Sequence, residues 1–183
     1  MKYRDIPQYT RYGYYVVNNP ISHMLSNEKN EGWLDGYIKM GLQLDPEFQR
    51  GNVWTEEQQI KYIEYRLKGG RHSGRNIYFN KPDWMSAKIY PDNAYNDFVC
   101  VDGLQRITAA IRYMKGEIKI FDKYTVYDFE DSIPIDFDFI TDVNNLQTYR
   151  EVLQWYVDLN EGGTVHTTEE LNRVKDLVKK EIK

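Results

Sequence analysis

One cysteine, three histidines and no long hydrophobic run are what this chain has least of, and each scarcity removes a class of explanation. A lone Cys100 cannot build an internal disulfide framework, and such cysteine usage suits a reducing compartment. His23, His72 and His166 are far apart in sequence and lack the local context of a histidine-based nuclease motif. No apolar stretch approaches the ~20 residues of a membrane span, and Met1-Lys2-Tyr3-Arg4-Asp5 is not followed by the apolar centre of a signal peptide. The expectation is a cytoplasmic protein with no membrane partner. Positive charge is not in excess either: 24 Lys and Arg against 28 Asp and Glu leave a net charge of −4. Any DNA contact must therefore use a local patch. The glycine-rich stretch Gly69-Gly70-Arg71-His72-Ser73-Gly74 lacks the Gly-Lys-Ser/Thr ending of a P-loop. No internal repeat and no low-complexity tract occurs.

What is present reads as one mixed α/β domain over 1–183. With 183 residues, 41% of them hydrophobic, the chain is long enough for a real core. Sixteen tyrosines include a cluster at Tyr9, Tyr12, Tyr14 and Tyr15, which fits strand packing better than base stacking. Tyr14-Tyr15-Val16-Val17 reads as a strand, Pro20 opens a short helical stretch, and 27–32 reads as a loop. Thr55–Lys68 is the clearest helix. Thr55 and Gln58 fit a capping box, Ile60, Ile63 and Leu67 form an inner stripe, and Gly69-Gly70 ends it. Asn76–Phe79 reads as a strand and 81–96 as an exposed excursion. Ile118, Ile120, Tyr124 and Val126 suggest one or two alternating strands, and Ile135–Ile140 another. Two helices follow, from about Leu146 to Leu159 and from Thr168 to Ile182.

The most informative segment lies between. Phe98-Val99-Cys100-Val101 stops on Asp102-Gly103-Leu104-Gln105-Arg106, and Ile107, Ala110, Ile111 and Met114 then recur at helical spacing up to Gly116. A strand that runs through a glycine into a helix start leaves backbone N–H groups pointing outward, a natural seat for an anion. Arg106 adds a guanidinium that can fork onto phosphate oxygens. Asp102 could hold a divalent metal or accept a proton. The same spacing equally fits a plain junction in which Asp102 caps the helix and pairs with Arg106.

Two further segments stand in order around it. Pro46-Glu47-Phe48-Gln49-Arg50-Gly51-Asn52-Val53-Trp54 leads into the capped helix, and Leu159-Asn160-Glu161-Gly162-Gly163-Thr164 precedes Thr167-Thr168-Glu169-Glu170-Leu171, a second capping-box start. Together the three resemble the N-terminal domain of GmrSD-type modification-dependent restriction proteins, of the ParB/sulfiredoxin-like superfamily. The motifs span about 42–174, with 1–41 as an N-terminal extension. The resemblance implies a mixed sheet with flanking helices and a site for a nucleoside triphosphate or a nucleic-acid phosphate, in a setting of DNA restriction, defence or counter-defence. It implies that Arg50 and Arg106 face one cavity, with Gln49, Gly103, Asn160, Gly162 and Gly163 completing the phosphate site. Asp102, Gln105 and Arg106 are its candidate catalytic residues, and Asp102 its candidate Mg²⁺ ligand.

The chain departs from the family pattern at Leu104, where relatives carry Gln. Losing that amide is expected to favour binding over turnover. Relatives often continue into a His-Asn-His nuclease domain, so a nuclease or another defence protein is expected as a separate partner. Three readings stay open: a phosphate-binding domain, an active Mg²⁺-dependent NTPase, and a non-catalytic interaction module. Sulfiredoxin chemistry is disfavoured, because the reactive cysteine of that relative stands between the glycine and the arginine of the turn, where this chain has Leu104 and Gln105. Lys61, Lys68, Arg71 and Arg75 form the candidate nucleic-acid patch, although charges on an exposed helix face are commonly just solvated.

Overall fold

A computed structural model describes residues 2–3, 6, 15–49, 51, 53–70, 74–84, 95–161 and 168–180. In chain order these form β1 (Tyr15–Pro20), α1 (Trp33–Lys39), α2 (Glu56–Leu67), β2 (Asn76–Asn80), β3 (Val99–Asp102), α3 (Leu104–Met114), β4 (Asp138–Asn144), α4 (Tyr149–Glu161) and α5 (Thr168–Lys180). The four strands make one mixed sheet in the order β1-β4-β2-β3. β4 runs antiparallel to β1 and parallel to β2, and β2 runs antiparallel to β3. The expected mixed sheet with flanking helices is thus observed.

Each sheet face has its own core. Ile77 and Phe79 of β2, Cys100 of β3, and Phe139 and Val143 of β4 pack with Leu34 of α1, Ile63 of α2, and Ile107 and Tyr113 of α3. On the other face Val99 and Val101 of β3 meet Phe48, Val152, Leu153 and Tyr156 of α4, and Val174 and Val178 of α5. β3 is therefore covered on both sides, which is why its sequence is an unbroken apolar run and not an alternation. Across the sheet, register places Val16, Asp142, Tyr78 and Asp102 in one row, from β1 through β4 and β2 to β3.

The capping box of α2 is present as read. Gln58 N donates to Thr55 Oγ1 at 3.3 Å and Thr55 N donates to Gln58 Oε1 at 2.9 Å. The inner face of α2 differs, because Gln59 and Arg66 are buried beside Ile63. The strands expected over 118–126 are replaced by a single Ile120–Tyr124 bridge and a 3-10 turn at Val126–Asp128. Ile118 and Ile120 simply enter the helix-side core, which satisfies their alternation without a ladder. Phe121 and Asp122 turn the chain with φ of 50° and 59°, and Asp128 caps the next turn by accepting from Thr125 N and Oγ1, each at 2.7 Å.

The strand read at 135–140 starts three residues later. Phe137 N donates to Pro134 O at 3.0 Å, a turn that keeps 133–137 out of the ladder. β4 then runs on to Asn144, because β1 pairs with it as far as Val143 and β2 as far as Asn144. The helix α1 was not legible: its start at Gly32 has no side-chain cap. Glycine is required there, since a Cβ would lie 2.3 Å from the Leu25 backbone.

Candidate functional site

The turn from β3 into α3 is built around Gly103. It has φ of +118°, and a Cβ would stand 2.6 Å from Ile77 Cγ2, so neither the backbone conformation nor the space admits a side chain. Ile107 N donates to Gly103 O at 2.9 Å, closing the first turn of α3. Asp102 ends the strand on one side of this glycine, and Arg106 reaches back from the helix to pair with its carboxylate. Arg106 Nε is buried and has no hydrogen-bond partner among the described residues.

Both side chains line a half-open cavity of about 380 Å³, together with Gly74, Arg75, Asn76, Tyr78 and Ile140. Its floor is the sheet, where Asn76 lies beside Ile140 in register and Tyr78 lies opposite Asp102. Tyr78 leans on Trp155 of α4, edge to face at 5.9 Å, and its hydroxyl accepts from Asn76 Nδ2 at 2.9 Å.

Arg75 is anchored by a fork onto Asp138, with Nε to Oδ1 at 3.0 Å and NH2 to Oδ2 at 2.7 Å. Asp138 also faces Arg66, whose NH2 lies 3.7 Å from Oδ1 and whose side chain is 1% exposed. Arg66 further donates to Asp138 O at 2.7 Å and Gly74 O at 3.2 Å, and lies over the Phe137 ring. The lining residues contribute two guanidiniums and one carboxylate, and Asp138 behind Arg75 is shared with Arg66, so the wider set holds three guanidiniums and two carboxylates. The balance at the cavity wall is one positive charge, in a protein whose net charge is −4. Tyr62 supports the wall from behind, donating its hydroxyl to Gly74 O at 2.7 Å. Burial pushes that phenol up, and the nearby Arg66 and Arg106 guanidiniums oppose the shift.

The amides expected at the site are engaged elsewhere. Gln105 Oε1 accepts from Val53 N and Trp54 N, both at 3.0 Å, while its Nε2 donates to Gly51 O at 2.7 Å. Gln49 Nε2 donates to Cys100 O at 3.1 Å and Val101 O at 3.0 Å. The two glutamines tie the 46–55 loop to β3 and α3, and neither lines the cavity. Asn160 is not on a rim loop: it lies within α4, 7% exposed, and its Nδ2 donates one turn back to Tyr156 O at 2.6 Å. Arg50, Arg71, Gly162 and Gly163 lie outside the described residues.

Leu104 reverses an expectation. Its side chain is 7% exposed and belongs to the helix-side core, so the departure from Gln takes no amide away from the cavity. Three members of the candidate nucleic-acid patch have partners within the molecule, Lys61 in a surface pair that leaves its side chain exposed. Lys61 pairs with Glu57 at 2.5 Å, Lys68 lies 5.0 Å over the Phe121 ring, and Arg75 forks onto Asp138. The structure thus moves Arg75 from that patch to the cavity. Cys100 is fully buried and its thiol is pushed up, chiefly by burial and then by the Asp102 charge, which leaves it an unreactive core residue.

Four contributors were missed. Asp138 sits between Phe137 and Phe139, and the buried Arg66, at helical spacing from Ile63, was the signal that a buried acid had to exist. Asn76 and Tyr78 stand on a strand that was read correctly, but which of its residues meet the turn depends on register. Arg173 of α5 donates from NH2 to Glu47 O, Phe48 O and Gln49 O at 3.2, 3.2 and 3.1 Å, a clamp on the 46–55 loop with no local sequence signature.

A mixed α/β domain with a cationic cavity at a strand–glycine–helix turn is the class the fold defines. Residues 21–181 match the family described as GmrSD restriction endonuclease, N-terminal domain. The chain belongs to that family, over a span longer than the motif-bearing 42–174. No curated protein and no solved structure matches the chain.

Proposed function

We propose that the Asp102–Arg106 cavity binds the phosphates of a nucleoside triphosphate, within the restriction-related role that family membership indicates. The observation that carries this reading is the pairing of Arg75 and Arg106 along one wall, with Arg106 Nε buried and unbonded among the described residues. Each guanidinium already has a carboxylate partner, Asp138 for Arg75 and Asp102 for Arg106, and what stays unmet is the Arg106 Nε donor, at a cost of about 1–3 kcal/mol. A phosphate that draws Arg106 from Asp102 gives that guanidinium a fork of acceptors. The Tyr78 and Ile140 surfaces offer an apolar wall for the rest of the ligand.

Binding is favoured over turnover. Asp102 is the one carboxylate lining the cavity among the described residues, and Arg106 holds it. Gln105, expected as a catalytic residue, is satisfied at both ends of its amide by loop backbone, so its role in this reading is to position the loop that carries Arg50. Mg²⁺ arriving on the phosphates suits a single carboxylate, because this ion takes one or two protein carboxylates and fills its shell with phosphate oxygens and water. Asp102 is the residue that would hold it, and the ion would neutralise phosphate charge.

The reading makes the protein a cytoplasmic nucleotide-binding component that works with a nuclease or another defence protein. No helix among the described residues is long and apolar enough to cross a membrane. Calorimetric titration with ATP, GTP, CTP and UTP, each with Mg²⁺ and with EDTA, tests it. Saturable binding of at least one triphosphate, competed by inorganic triphosphate, is expected. Absence of heat with all four, or binding only to duplex DNA, would contradict it.

A further inference from the structure

A second surface lies apart from the cavity, on the excursion between α3 and β4. Over Glu117–Asp136 six carboxylates, Glu117, Asp122, Asp128, Glu130, Asp131 and Asp136, stand against Lys119 and Lys123, a segment charge of −4. The whole chain also carries −4, so its remaining charges cancel and its entire acidity is concentrated here. All six acidic residues are exposed. The same segment exposes Phe121, Tyr124 and Phe129, and more fully Tyr127 at 74% and Ile135 at 75%. Large apolar side chains shown to water on a net-acidic segment are a costly arrangement for a surface that meets only solvent.

Beneath them is a groove of about 280 Å³, walled by Leu67, Tyr113, Val126, Phe129, Ile133 and Pro134, with Lys68 and Asp131 at its edge. That volume lies below the range usual for cofactor pockets and fits a single inserted side chain. The surface is held in place. Phe121 N donates to Glu64 Oε1 at 2.6 Å, Lys68 covers the Phe121 ring, and Tyr124 packs on Phe129 at 5.6 Å. Thr125 and Asp128 lock the turn between them with a capping box. Little ordering entropy is left to lose on docking.

We propose that this face binds a basic protein segment, which inserts one aliphatic or aromatic side chain into the groove while its lysines or arginines meet the surrounding carboxylates. Charge complementarity selects the occupant. Nucleic acid and anionic lipid are disfavoured by the net negative charge of the segment, even with Lys68 at the groove and Arg112 paired to Glu117, and a second copy of the chain would set the same acidic face against itself.

The test uses the 183-residue chain and a phage-displayed random dodecapeptide library, followed by anisotropy titration of the enriched peptides labelled with fluorescein. Enriched peptides should carry net positive charge and at least one large apolar residue. Their affinity should fall at least tenfold in Ile135→Glu, at least tenfold in Glu130→Lys/Asp131→Lys, and several-fold in 0.5 M salt. Replacements at these exposed positions leave both cores intact, which thermal unfolding checks, and the charge-reversal pair gives a second readout if Ile135→Glu unfolds. No enrichment, enrichment of acidic or purely apolar peptides, or affinity indifferent to both variants overturns the proposal. Nucleotide is absent throughout, so the outcome is independent of the cavity reading.

Discussion

Arg106 turns back one helical turn to meet the Asp102 carboxylate, so the cation at the cavity mouth is already paired with the last residue of β3. An incoming phosphate has to compete with that carboxylate for the guanidinium. Asp102→Asn removes the competitor while keeping its shape. In EDTA the variant should bind triphosphate more tightly than the natural protein, by severalfold to about tenfold, the scale of one charge-assisted hydrogen bond. Calorimetry reads the change directly. Equal or weaker affinity in EDTA would mean that the pair does not gate the site.

Leu104 gives a prediction opposite to the one its motif position suggests. Restoring the family's glutamine puts a polar amide into the helix-side core, where Leu104 is 7% exposed. Leu104→Gln should lower unfolding stability by about 1–3 kcal/mol, from lost apolar burial and an unsatisfied amide. Any phosphate release should stay unchanged. Urea unfolding and a phosphate-release assay separate the two, and raised turnover with undiminished stability would return position 104 to the site.

Asp138 supports the cavity wall from behind. It is 4% exposed and neutralises Arg66, also buried, while forking onto Arg75. Asp138→Ala leaves a buried guanidinium without its counter-ion, a change that costs about 3–5 kcal/mol. Chemical denaturation should show a loss of that size. A loss within about 1 kcal/mol would show that the backbone carbonyls around Arg66 suffice to hold it.

Asp142 sits beyond Tyr78 in the same row of the sheet, and burial alone raises its carboxyl above the usual range. The sign follows from linkage. The unfolded chain ionises first, so stability is lost as the pH rises from the unfolded pKa through the higher folded one, and the penalty persists at neutral pH. Asp142→Asn should therefore be more stable than the natural protein near about pH 7 and indistinguishable near about pH 3.5, below the ordinary aspartate pKa. Stabilisation of equal size at both values would assign the effect to packing.

How much of this could be read from the sequence depended on how local its cause is. The α2 capping box, the apolar run of β3 and the Gly103 turn arise from adjacent residues and were legible. The turn's central ion pair was legible too, as the bland alternative to an anion site. Gln49 and Gln105 were placed at the right loop and turn, but their amides serve backbone groups about fifty residues away, which no spacing reveals. Arg75 was read on the helix exit as part of a patch; the parallel pairing of β2 with β4 sets it against Asp138 instead. The 118–126 segment misled because core-facing isoleucines alternate in a turn as they do in a strand.

The central claim is that phosphate is held by Arg106. Triphosphate affinity measured by calorimetry for the natural chain and for Arg106→Ala, with folding of both verified by circular dichroism, tests it most directly. The account predicts a loss of roughly 1.5–3 kcal/mol in the variant, about ten- to hundredfold in Kd. Unchanged affinity in a folded Arg106→Ala protein would contradict it.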